Sequence, residues 1–236
     1  MAQKQEWALA AEAFEKSVRI SPESEIGLRS AEEGAKVSAI HEKNYLRLTR
    51  FLKHILLQSK DENERVHAQK LLAETYFENL SDYENAILEL NRAITHFPLG
   101  SERLQLRMML AKSYFFLNKF FQARTEIDGI LGETTDETQK FRAELLKANI
   151  YLNEKDLDHA ISLFQSLQVR YPEKARDEQV FMSLAVCYEE KEAFDQAIEV
   201  LDKARPNYSM PETIDLKIKR LRERRAQLPG AKGLKK

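Results

Sequence analysis

One small residue recurs along this chain at an almost fixed interval: Ala35, Ala73, Ala111, Ala148 and Ala185 are separated by 38, 38, 37 and 37 residues. A second series keeps the same period through Ala10, Leu48, Ala86, Ala123, Ala160 and Ala197, with Leu48 as its one large member. Three positions before each of these stands Trp7, Tyr45, Tyr83, Phe120, Leu157 or Phe194. Two landmark series with one period mark a repeat architecture, in which each copy of a short unit buries its apolar face against its neighbours. Repeats, not domains, are what this chain of 236 residues should be counted in.

The segment AELLKANIYLNEKDLDHAISLFQSLQVRYP, residues 143–172, shows what one unit contains. Small and apolar residues fall at helical spacing on both sides of a break at Asn153 to Asp156, so the unit predicts two antiparallel helices joined by a short turn. Ala148 and Tyr151 belong to the first helix; Leu157, Ala160, Phe164 and Leu167 form the inner stripe of the second. Pro172 ends it, because proline cannot continue a helix, and Pro22 and Pro98 recur in register. This pattern resembles the tetratricopeptide repeat (TPR), a helix-turn-helix unit of about 34 residues. The resemblance covers residues 5–208 and is to the long-repeat bacterial type.

It implies an all-α fold, a right-handed superhelical solenoid of antiparallel helix pairs spanning 1–228 as a single body. A lone second-type helix is expected at 1–22, repeats at 24–60, 62–98, 101–133, 136–172 and 173–208, a capping helix at 209–228 and a basic flexible tail at 229–236. Repeats longer than 34 residues imply lengthened helices or turns, and Leu48 in place of a small residue departs from the family pattern in the repeat at 24–60 and leaves its packing open. The first segment matches only the second half of a unit, so either a lone capping helix begins the chain or sequence has been removed upstream.

Composition agrees with a largely helical protein: 43% hydrophobic residues, 32% charged, and few glycines and prolines. No run of about 18 apolar residues exists, which excludes a spanning helix. A single cysteine, Cys187, excludes an internal disulfide and leaves the compartment open.

Local features refine the outline. Gly27, Ala31, Gly34, Ala35 and Ser38 predict a close crossing of the helix at 24–41 with its neighbours. Asp61 is placed to cap a helix, and Ser81 with Glu84, and Ser209 with Glu212, have capping-box spacing. Ile214, Ile218 and Leu221 give the last helix one apolar face. From Lys217 to Lys236 there are nine Lys or Arg against the single acid Glu223, in a chain of formal net charge −1, so the rest is acidic on balance. No aromatic is interleaved there for base stacking, and the sequence argues against nucleic acid as the partner.

Nothing in the sequence argues for an enzyme, a cofactor or a bound metal. The five histidines include no pair at turn spacing, and there is no phosphate-binding loop. Cys187 sits beside Ala185 and Tyr188 as a small core residue.

The TPR resemblance implies instead a protein or peptide bound in a concave groove lined by first helices. In register, the candidate partner-binding residues are Lys36, Lys70, Met108, Lys112, Phe115, Leu145, Asn149, Leu152, Met182 and Val186. The N-terminal part of this face is charged and the C-terminal part apolar. An amphipathic helix or extended segment fits it, and a second copy of the chain is a further occupant. Within YFFLNKFFQAR, residues 114–124, Phe116 and Phe121 occupy positions that are usually polar and form a secondary patch. The leading reading is a cytoplasmic scaffold or adaptor in a bacterial-type cell. Its rivals are the soluble part of an envelope-assembly TPR lipoprotein, periplasmic or lipid-anchored, and a nucleic-acid-associated regulator acting through the basic C-terminus.

Overall fold

The computed structural model describes residues 2–96 and 100–228, and all regular structure among them is helical. Pro98 and the basic tail at 229–236 lie outside the described residues. The chain forms two compact units, Met1–Glu126 and Ile127–Lys236.

The first unit contains α1 (Ala2–Ile20), α2 (Glu25–Val37), α3 (Tyr45–Gln58), α4 (Glu62–Glu74), α5 (Tyr83–Ile94), α6 (Ser101–Phe116) and the start of α7 (Phe120–Glu133). From α1 to α6, each helix packs on the next. The close crossing expected at α2 is present: Gly27, Ala31, Gly34 and Ala35 are buried, and a Cβ on Gly34 would stand 2.4 Å from the Phe51 ring of α3. This accommodates Leu48, which is 2% exposed: the small residues sit on α2 and the large ones, Leu48 and Phe51, on α3. Trp7 stacks on His41 with ring centroids 4.0 Å apart. On α1, however, the residue without exposure is Ala11, with Ala10 half-buried. The face that packs runs through Ala11, Phe14 and Val18, at helical steps of three and four.

Helix ends follow local chemistry. Asp61 caps α4 by accepting hydrogen bonds from the Asn63 and Glu64 amides. At α5 the expected Ser81–Glu84 pair is replaced by its neighbour: Asp82 accepts from the Asn85 amide, while Ser81 is in the left-handed region at φ 51°. The turn between the helices of each pair contains one such residue, in order Lys43, Ser81, Asn118, Lys155 and Glu192.

These turn residues locate the difference between the 38- and 37-residue repeats. Each lies five residues before its second-helix landmark, and 25 residues separate that landmark from the next repeat's alanine in every case. The interval that varies is the one before the turn: eight residues from Ala35 to Lys43 and from Ala73 to Ser81, but seven from Ala111 to Asn118, Ala148 to Lys155 and Ala185 to Glu192. In the two long cases the first helix ends in a turn of π-helix, at Ser38–Glu42 and Thr75–Asn79. There the amides of Lys43 and Leu80 reach back five residues to the Ser38 and Thr75 carbonyls. A π-turn accommodates one residue more than an α-turn over the same rise, so the added residue is absorbed locally and the helix pair keeps its register.

The second unit contains the rest of α7, then α8 (Glu137–Asn153), α9 (Leu157–Arg170), α10 (Pro172–Asp177), α11 (Val180–Glu190), α12 (Phe194–Ala204) and α13 (Pro211–Gln227). The break expected at Asn153 to Asp156 is the α8–α9 turn, and Asp156 caps α9 through the His159 amide. Pro172 follows the end of α9 and also opens α10, where its missing N–H costs nothing. Gln179, at φ 53°, separates α10 from α11, so this repeat's first helix is broken. Helix α13 packs on α12 with Ile214, Ile218 and Leu221 buried. It starts with Met210 at the cap position and Pro211 in the first turn, not with the expected Ser209–Glu212 pair.

Candidate functional site

On the first-helix face of the first unit, α2 and α4 border a groove of about 430 Å³. Leu52 and Ile55 of α3 floor it; Glu32, Lys36 and Ile40 line one side, and Glu64, His67 and Leu71 the other. Ile40 is 65% exposed, so an apolar side chain stands at the mouth of the groove without being needed by the core. Sequence reasoning missed it because Ile40 lies in the π-turn. A strict 3.6-residue period carried on from Ala35 does not describe where side chains project there. The signal available was the 38-residue spacing itself.

The charges around this groove are unevenly satisfied. Lys36 is paired with Glu33 at 2.7 Å and Lys70 with Glu102 at 2.8 Å, and each hydrogen bond pushes its lysine's pKa up. Glu32 is held above the usual carboxylate range, first by burial and then by a hydrogen bond to Glu64 and that group's negative charge. Lys36 opposes this only by its more distant positive charge. Glu74, farther along α4, is also raised, chiefly by burial.

Other candidates in the first unit have distinct settings. Lys112 is exposed, and Met108 and Phe115 are half-buried. Phe116, 49% exposed, stacks on Tyr83 at 4.6 Å and lies 5.6 Å from Phe115 and 6.5 Å from Phe77, so it belongs to a chain of aromatic contacts across helices. Phe121 is 73% exposed. The two residues of the secondary patch thus differ: one is shared with intramolecular packing, the other is open to solvent.

In the second unit, the apolar stripe is drawn inward. Leu145, Leu152 and Met182 are partly buried and pack against the core cluster that contains Phe164, Leu184 and Leu201. Asn149 and Val186 are half-buried. A separate cavity of about 370 Å³ opens beside the α10–α11 break, lined in part by Gln165, Arg176, Phe181, Lys203 and Tyr208. Cys187 is fully buried, and burial pushes its thiol up to about 11, which keeps it protonated and unreactive at neutral pH. Part of the basic C-terminal run is engaged within the unit: Arg224 pairs with Glu189, Arg225 with Asp195, and Lys217 approaches Glu189 at 3.9 Å.

Antiparallel helix pairs with a small residue at each crossing define the fold as an all-α, TPR-like helical repeat. No family model matches the chain, and neither does any curated protein. Solved structures do. YrrB, described as a TPR protein with an unusual peptide-binding site, is 21% identical over 89% of this chain and 99% of its own, with a TM-score of 0.57. MamA is 16% identical over 79% of this chain and 94% of its own, with a TM-score of 0.61. A tetratricopeptide repeat protein from Parabacteroides merdae is 14% identical over 94% of both chains, with a TM-score of 0.52. At these identities the shared property is the fold. Among the described residues, no helix is long and apolar enough to cross a membrane.

Proposed function

We propose that this chain is a protein-interaction scaffold or adaptor of the long-repeat bacterial TPR type. Its first-helix face holds a helix or extended segment of another protein, with the α2–α4 groove as the main anchor. The observation that carries this reading is the groove's makeup: an apolar floor of Leu52 and Ile55, an exposed apolar residue at its mouth and a charged rim. Apolar anchors in a pocket with polar surroundings supply most of the energy of such interfaces. YrrB, similar in fold, is described by its peptide-binding site, which agrees with this use of the architecture. Lys70, Met108, Lys112 and Phe115 extend the proposed contact within the first unit; Asn149 and Val186 are the less engaged positions of the second unit's first-helix face.

The reading as a nucleic-acid-associated regulator has less to rest on. Of the nine Lys and Arg in the basic run, Lys217, Arg224 and Arg225 have charges partly answered by Glu189 and Asp195. A catalytic role has no candidate nucleophile in Cys187.

The test is capture of partners by the full chain beside an Ile40→Glu variant, with proteins identified by mass spectrometry and both chains melted in parallel. A partner held by the parent and released by Ile40→Glu, at unchanged melting temperature, is the expected result. Equal capture by both would end the groove reading and direct attention to Phe121.

A further inference from the structure

The α2–α4 groove has an electrostatic asymmetry that its sequence neighbours hide. Along α2 and α4 acidic and basic residues are interspersed, six Glu with four Lys or Arg. The lysines, however, already have partners, Lys36 with Glu33 and Lys70 with Glu102. Glu32 and Glu64 instead line the groove from its α2 and α4 sides, and no ion pair to either is formed among the described residues. Glu64 also accepts a hydrogen bond from the Ser59 hydroxyl, which fixes its position. Two carboxyl groups facing each other above an apolar floor must share a proton or repel, and a cation placed between them relieves both conditions.

We propose that the groove selects a partner segment bearing a lysine or arginine flanked by apolar residues. The aliphatic stem lies on Leu52, Ile55 and Leu71, and the charged head sits between Glu32 and Glu64. Lysine and arginine are suited to this because each joins an apolar stem to a cationic end. A carboxylate or phosphate at the same place meets two acids and is rejected, which gives the site sign selectivity as well as affinity. Lys36 and His67 are the other titratable groups lining the groove, and Lys36 is already paired with Glu33. The proposal rests on the protein-binding reading of this groove.

The probe is a pair of small molecules of one chain length and opposite charge, n-hexylammonium and hexanoate, titrated into the methyl-labelled full chain and followed by NMR. Hexylammonium is expected to shift the Ile40, Ile55 and Leu71 methyl resonances, and hexanoate to leave them in place. The double variant Glu32→Gln with Glu64→Gln keeps side-chain shape and should weaken hexylammonium binding by about tenfold or more, the scale of a lost charge-assisted hydrogen bond. Equal response to hexanoate, no response to hexylammonium, or unchanged hexylammonium binding by a folded double variant overturns the proposal. Partner capture separates the two readings: loss with Ile40→Glu but full retention with the double variant sinks the cation site and leaves the protein-binding groove standing. Retention with Ile40→Glu sinks the groove reading itself.

Discussion

The first-helix faces of the two units look opposite in sequence and reverse their roles in the structure. In the first unit the register positions are mostly charged, yet the face there contains a groove with an apolar floor and an exposed isoleucine. In the second unit they are Leu145, Leu152, Met182 and Val186, yet the first three pack against the unit's own core. The floor residues Leu52 and Ile55 are themselves buried in the core, so what sets the first unit apart is Ile40, an apolar side chain at the groove mouth left unclaimed by neighbouring helices. The π-turns accompany this difference, being found after α2 and α4 and not after α8 or α11.

The largest effects should come from changing chain length at equivalent places in the two units. Deleting Glu78, inside the π-turn at Thr75–Asn79, shortens the Ala73-to-Ser81 interval to the seven residues used elsewhere. It should cost no more than an ordinary point substitution, about 0.5–3 kcal/mol. Deleting Lys147 from the middle of α8 turns every following side chain of that helix by about 100° and removes Ala148 and Ile150 from the core. That variant should fail to melt cooperatively. Denaturant and thermal unfolding decide it, and similar losses from both deletions would mean that the π-turn is not where the extra residue is absorbed.

A smaller effect distinguishes the helix crossings. Gly34→Ala drives a Cβ into the Phe51 ring, and Ala160→Leu overfills a fully buried site, each costing about 1–3 kcal/mol. Gly132→Ala, whose added Cβ meets nothing within 4 Å, should not destabilise. A Gly34→Ala midpoint equal to that of the parent would remove the account given for Leu48.

The smallest effects are those of pH, and they differ in sign from group to group. Burial holds His54 below its ordinary value of 6.5, so the unfolded chain takes up the proton first and stability falls as pH drops through about 6.5. His54→Gln should flatten that slope. Glu32 and Glu74 are raised, so the folded state binds their protons first and acidification through the range just above 4.5 adds stability. In the second unit Glu137, Asp158 and Asp215 are held below their ordinary values, first by hydrogen bonds to Lys140, Lys191 and Arg205, and lose their contribution as pH falls through that lower range. Their exposure makes the loss slight. Melting curves of His54→Gln, and of Glu32→Gln, between pH 7 and 3 check both signs.

The fold was legible because the alanine series records backbone approach: Ala73, Ala86, Ala111, Ala123, Ala148, Ala160, Ala185 and Ala197 have no exposure at all. A requirement for a small side chain at each crossing leaves a periodic trace in sequence. Caps were less legible. At α5, Ser81 and Asp82 are both capping residues by type, and the left-handed turn at Ser81 decides between them. The groove was least legible, since its open state depends on which side chains neighbouring helices claim. Met182 and Ile40 are both apolar residues near first-helix ends or middles, and only packing separates the half-buried one from the exposed one.

The most direct test is amide hydrogen exchange of the full chain with and without a partner recovered by capture. The account predicts slowed exchange at 36–42 and 64–71, where α2, its π-turn and α4 border the groove, and little change at 145–152. Protection confined to 145–152 or to the Phe121 surface, with 36–42 and 64–71 unaltered, would contradict it.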